Sequence, residues 1–239
     1  MSAPRLSSAG RRASLIAAAK AVFARHGLEG ARTQHIARAA GVSEALLFRH
    51  FPTKMHLYRA VLRDVITDQN TVMRSFGEAE ASTEGLLEIL RRTFSYAMAG
   101  MHAVNAEGLR MVVGSLAGDG GYARLVYRRA LRMTLPNLER AVEAARADGG
   151  IAGEMLSITN AGAFVEHVST MMMMARCHDK VAIPYDEDRA LRDAILFCAR
   201  GLGVDEGRIL KFLRQMKPNE PGDTPFIKRP ASIAPSAAG

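Results

Sequence analysis

Along most of the chain apolar residues recur three and four positions apart, and short polar runs with glycine separate one such stretch from the next; this is the period of an α-helix. The stripe Leu15, Ile16, Ala19, Val22 and Phe23 predicts a first helix over residues 11–26, stopped by Gly27. Thr33 can cap a short helix carrying Ile36, Ala37 and Ala40 on one face, and Gly41 ends it. After a sharp turn Ser43 can cap a second short helix. Its Leu47 and Phe51 point inward, which leaves Glu44, Ala45, Leu46, Phe48 and His50 to face outward. Pro52 and Thr53 then open a longer helix, Thr53 as the cap, with Met55, Leu57, Tyr58, Val61, Leu62, Val65 and Ile66 before it fades near residue 75.

The remainder repeats the pattern at larger scale. Helices are predicted over residues 83–101, 106–117, 122–147, 158–177, 187–200 and 205–216, with loops at 77–83, Asp119-Gly120-Gly121 and Asp148-Gly149-Gly150. Pro136 lies inside the fourth-to-last of these, where a missing N–H and a ring clash predict a kink or break near Met133. Residues 158–177 are apolar on several sides, including the run Met171 to Met174, so more than one face is expected to be buried. Neither an internal repeat nor a strand pattern competes with an all-α reading. Residues 1–10 are expected to form a flexible arm, 11–64 a compact three-helix head, 65–216 a second helical domain, and the proline-rich stretch 217–239 a disordered tail.

Charge sharpens this division. Residues 1–63 hold 11 Lys or Arg against 2 Asp or Glu, a net of +9, whereas residues 64–239 hold 21 against 22, a net of −1; together they give the +8 of the whole chain. The positive excess therefore sits with the two short helices. Their spacing, with small Ala37 at the crossing, Gly41 at the turn and Leu47 closing the angle, is helix-turn-helix grammar. A basic segment interleaved with ordered helical periodicity is the electrostatic footprint of a phosphate-binding module.

The run GVSEALLFRHFPTKMHLYRAVL, preceded by a helix ending in FARHG, resembles the DNA-binding domain of the TetR family of transcriptional regulators over roughly residues 11–64. The resemblance implies a ligand-responsive, homodimeric regulator of the all-α class, with an N-terminal helix-turn-helix domain and a C-terminal ligand-binding and dimerisation domain. It implies a palindromic double-stranded DNA operator, release by a small apolar effector, and dimerisation through helices 158–177 and 187–200; a buried single-chain core is the rival use of that last pair. Ser43, Glu44, Ala45 and Leu46 would face base edges, and Thr33, Phe48, His50 and Lys54 would hold the backbone, Phe48 by packing alone. Phe48 stands where the family usually has tyrosine, and Leu46 where a small polar residue is common. An effector pocket is expected among the helices from 54 to 147, with Phe76, Phe94, Met98, Met101, Met111 and Met133 as lining. Repressor is the expected mode; an activator of the same fold and a sequence-non-specific, nucleoid-type module are the alternatives.

Other chemistry finds little support. Gly118-Asp119-Gly120-Gly121 lacks the spacing and context of a phosphate loop, Ser115 lacks a nucleophile elbow, and Glu166-His167 lacks the second histidine of a zinc-protease helix. Cys177-His178-Asp179 with Cys198 is a metal candidate that packing explains as well, so no enzyme, metal or cofactor is expected. No apolar run is long enough to span a bilayer, and the first residues contain no signal-peptide core, so a cytoplasmic location is expected.

Overall fold

The computed structural model describes residues 7–75, 79–98, 106–118, 120–154, 156–176 and 186–216. The described residues form α1 (Ser8–Gly30), α2 (Thr33–Ala39), α3 (Glu44–His50), α4 (Lys54–Ser75), α5 (Thr83–Met98), α6 (Ala106–Ala117), α7 (Gly121–Ala147), α8 (Ile158–Arg176), α9 (Glu187–Gly201) and α10 (Glu206–Gln215). Their single β pairing is an isolated bridge between Ile151 and Val204. The all-α expectation therefore holds. Arm residues 1–6, tail residues 217–239, Cys177, His178, Asp179, Phe76 and Met101 lie outside the described residues.

Several ends differ from the expected ones for local reasons. α1 begins at Ser8 because the Ser7 hydroxyl accepts the Gly10 N–H, so residues 8–10 belong to the helix and not to an arm. Gly27 has a non-helical backbone, as its stop signal implied, but one further turn follows it. Of the kink or break expected near Met133, no break occurs, since α7 runs on through Pro136; the Asn137 side-chain amide donates to the Met133 carbonyl in the turn where the proline supplies no N–H.

Packing gathers the helices into two compact units. The first contains α1, α2, α3, α4 as far as Thr71, α6, and α7 as far as Ala130. Leu15, Phe23, Ile36, Leu47, Phe51, Leu57 and Val61 form its interior with Met111 and Val112 of α6 and Tyr122 of α7. The linear division at residue 64 did not foresee α6 and the start of α7 here. Their apolar stripes suit either core, and only the long-range packing of α6 along α1 decides between them. The Phe23 and Tyr58 rings meet edge to face at 4.9 Å, and half-exposed Asp64 accepts from buried Lys20 at 3.2 Å.

The second unit contains α5, α8, α9, α10 and the rest of α7. Leu86, Leu87, Leu90 and Phe94 of α5 pack with Leu138 and Val142 of α7, Ile195 of α9, and Ile209 and Leu213 of α10. A polar knot closes one end. Asp148 accepts from the Thr83 hydroxyl at 2.6 Å, the Thr83 N–H at 2.9 Å and the Gly150 N–H at 2.9 Å, and pairs with Arg208 at 3.2 Å. It thereby caps the start of α5 and ties α7 to α10.

The hydroxyl and N–H of Thr83, helped by Gly150 N–H and Arg208, hold the Asp148 carboxyl down at about 2 against its slight desolvation. A carboxylate with a depressed folded-state pKa stabilises the fold above its unfolded value, and that contribution disappears as pH falls through the folded value. Stability is thus expected to decline as pH drops from about 4 to about 2. In urea titrations across that range, Asp148→Asn should flatten this part of the acid limb; an unchanged slope would separate the knot from acid unfolding.

Candidate nucleic-acid interface

The turn between α2 and α3 is fixed by backbone geometry. Gly41 takes a positive φ of 64°, the Val42 N–H reaches back to the Ala37 carbonyl at 3.0 Å, and the Gly41 N–H reaches the Arg38 carbonyl at 3.1 Å. This pair of bonds ends a helix at a residue without Cβ and turns the chain sharply. Ser43 then starts α3 by accepting the Leu46 N–H on its hydroxyl at 3.2 Å. Leu47 and Phe51 go into the core, as expected from their spacing, while Ser43, Ala45 and Phe48 are exposed and Glu44, Leu46 and His50 half-buried.

Two of the expected contacts take different forms. Arg32, not Thr33, occupies the cap position of α2, and no side chain caps that end. Thr33 is instead the first helical residue, and its hydroxyl donates to the Glu44 carboxylate across the turn, pinning α2 to the start of α3. Lys54 also has local partners: its ammonium donates to the carbonyls of Glu29 and Ala31, both at 3.3 Å, closing the open end of α1. The Thr53 cap of α4 is present, with its hydroxyl accepting the His56 N–H at 3.2 Å.

Arg32, Arg38 and Arg49 are exposed, and among the described residues none of the three has a carboxylate partner. All three belong to the basic excess of residues 1–63, which counts charges without singling out these positions. Arg12 lies over the Phe51 ring at 4.8 Å and braces the end of α3. Of the effector-lining candidates, Phe94 and Met98 belong to the core of the second unit and Met133 is half-buried there, whereas Met111 is packed in the core of the first. Free Cys198 is buried, and burial pushes its thiol up to about 11, which suits packing and not reactivity. Among the described residues no cluster of three metal-ligating side chains occurs.

An all-α chain whose first unit presents a short helix across a glycine turn, amid unpaired arginines, falls in the class of helix-turn-helix proteins. A likeness to known proteins covers the same segment. Residues 15–61 match the family described as bacterial regulatory proteins, tetR family. It is 33% identical over 81 residues to the HTH-type transcriptional regulator RutR of Escherichia coli K12, covering 34% of this chain and 38% of RutR. It is 45% identical over 53 residues to the HTH-type transcriptional activator FasR of Mycolicibacterium smegmatis, covering 22% of this chain and 24% of FasR. The match thus spans less than two fifths of either curated relative. The fold extends further: the ketosteroid transcriptional regulator KstR2 of Mycobacterium tuberculosis superposes with a TM-score of 0.58 at 17% identity, over 85% of this chain and 99% of that one.

Proposed function

We propose that the protein is a homodimeric transcriptional repressor that binds a palindromic DNA operator and releases it when a small lipophilic effector occupies the second unit. The observation that carries this reading is the exposed face of α3, held by the Gly41 turn and the Ser43 cap within a unit whose Arg32, Arg38 and Arg49 are free for phosphates. Ser43, Glu44, Ala45 and Leu46 read base edges; Thr33 positions Glu44, and Phe48, His50 and Lys54 support the backbone side. Support for the dimer comes from α8 and α9, where Phe164, Met171 and Phe197 are large apolar side chains left exposed. A two-fold dimer places its reading helices in successive major grooves, about 34 to 36 Å apart. The likeness to FasR, an activator, favours activation as the second reading.

Selection of random duplex DNA by the purified protein tests this directly. An enriched palindrome supports the dimeric reader, and retention without any motif would replace it with a non-specific, nucleoid-type module. In the same assay Lys54→Ala should weaken all sequences nearly alike and lower the salt slope by about one phosphate contact. Its unfolding free energy should fall by about 1 kcal/mol, because the Glu29 and Ala31 carbonyls lose their donor. Loss of sequence preference in this variant would contradict the division between backbone and base contacts.

A further inference from the structure

The reading face of α3 carries a carboxylate where a phosphate-facing surface has least use for one. Glu44 is one of 2 acidic residues among the first 63, against 11 Lys or Arg. It opens α3 directly after the Ser43 cap and is half-buried. Exposed Arg32 stands at the cap of α2 and exposed Arg38 in its last turn, yet neither pairs with Glu44. The neutral Thr33 hydroxyl of α2 donates to its Oε1 instead. Among the described residues the Oε2 oxygen accepts no hydrogen bond.

The bond from Thr33 ties one carboxylate oxygen to α2 and so restricts where the other points, while the charge stays without a guanidinium partner. A strut between two helices needs no charge: a side-chain amide would accept from Thr33 as well and would not repel phosphates. The carboxylate is, however, an acceptor only, and that selects its partner in a major groove. Just two bases present a donor there, cytosine through its N4 amino group and adenine through its N6 amino group. Adenine sets the acceptor N7 beside its amino group, against a carboxylate oxygen, and guanine and thymine present acceptors. Cytosine is the base this group suits.

Resting on the DNA-reading function above, we propose that Glu44 is the specificity-determining residue for one cytosine in each operator half-site, with Thr33 as its positioning residue. The N4 amino group of that cytosine donates to Oε2 while the Thr33 hydroxyl holds Oε1. Of the four side chains assigned to base edges Glu44 alone is charged, and Ala45 and Leu46 offer only apolar contact. This charge-assisted bond therefore carries the largest polar share of direct readout by α3.

The test is selection of random duplex DNA by the full-length wild type, Glu44→Gln and Thr33→Val, followed by affinity measurements on the enriched site. The wild-type motif should hold a cytosine at one step of each half-site, and changing that C·G pair should weaken binding about tenfold. Glu44→Gln keeps an acceptor for Thr33, and should move that step alone from cytosine to adenine, the base a glutamine amide pairs with. Thr33→Val should blunt the cytosine preference at one step and leave the others as they were; this variant decides should Glu44→Gln fold poorly. A Glu44→Gln motif identical to that of the wild type, or a uniform weakening over all sequences, overturns the proposal and leaves Glu44 a strut between α2 and α3. A Thr33→Val motif unchanged at every step overturns it too, as does a step altered by Glu44→Gln that holds no cytosine in the wild type. Those outcomes keep the palindromic regulator, whereas a wild-type protein that enriches no motif removes both readings together.

Discussion

Leu47→Ala should abolish DNA retention and lower the unfolding free energy by about 3 kcal/mol, within the 2 to 5 found for emptied core sites. Leu47 is wholly buried, and it is the one residue of α3 that is. A seven-residue helix cannot persist in water on its own propensity, so the anchor side chain decides whether the reading face exists. The Ser43 cap contributes about 1 kcal/mol and cannot substitute for it. Urea unfolding with DNA retention measured beside it gives the comparison, and Phe48→Ala is the control. Phe48 is exposed, so its loss should leave the midpoint near that of the wild type. A Leu47→Ala protein that binds selected DNA as the wild type does would mean that α3 is held by something other than this contact.

Gly150→Ala should disrupt the second unit comparably, at about 3 kcal/mol or more, since overpacking and a broken polar knot add. A Cβ at residue 150 would stand 1.8 Å from the Thr83 hydroxyl oxygen and 2.8 Å from the Thr83 Cβ. Thr83 cannot simply swing aside. It is fully buried, and both its hydroxyl and its N–H are bound to Asp148. The added methyl therefore pushes on the start of α5, on Asp148 and, through Asp148, on Arg208 of α10. Hydrogen exchange should show protection lost first at the N-terminus of α5 and across α10. Wild-type protection there would show that the loop at 148–150 relaxes without moving α5.

The local parts of this architecture were legible in the sequence because their signals are local. Gly41, Ser43 and Thr53 act within four residues of themselves, and the structure gives each the backbone role its chemistry suggests. What could not be read depends on partners distant in sequence. Thr33 has the right hydroxyl for a cap, but Glu44, eleven residues on, takes it. Lys54 also closes the end of α1, a contact that exists only once α1 and α4 are packed. α6 joins the first unit because of α1, about ninety residues earlier, and periodicity names a buried face without naming its neighbour.

The Thr33–Glu44 bond has a kinetic consequence for the regulator proposed above. It fixes one of the two acidic residues of the first 63 at the leading edge of the reading helix, where the carboxylate cannot retreat into solvent. On an arbitrary stretch of DNA that negative charge faces phosphates and base acceptors and raises the energy of every mismatched stop. A cytosine amino group at the right step removes the conflict by donating to it. For a regulator of the proposed kind, residence on wrong sites would be shortened far more than residence on the operator, so that such a protein would leave non-target DNA quickly and its search of a genome would waste less time.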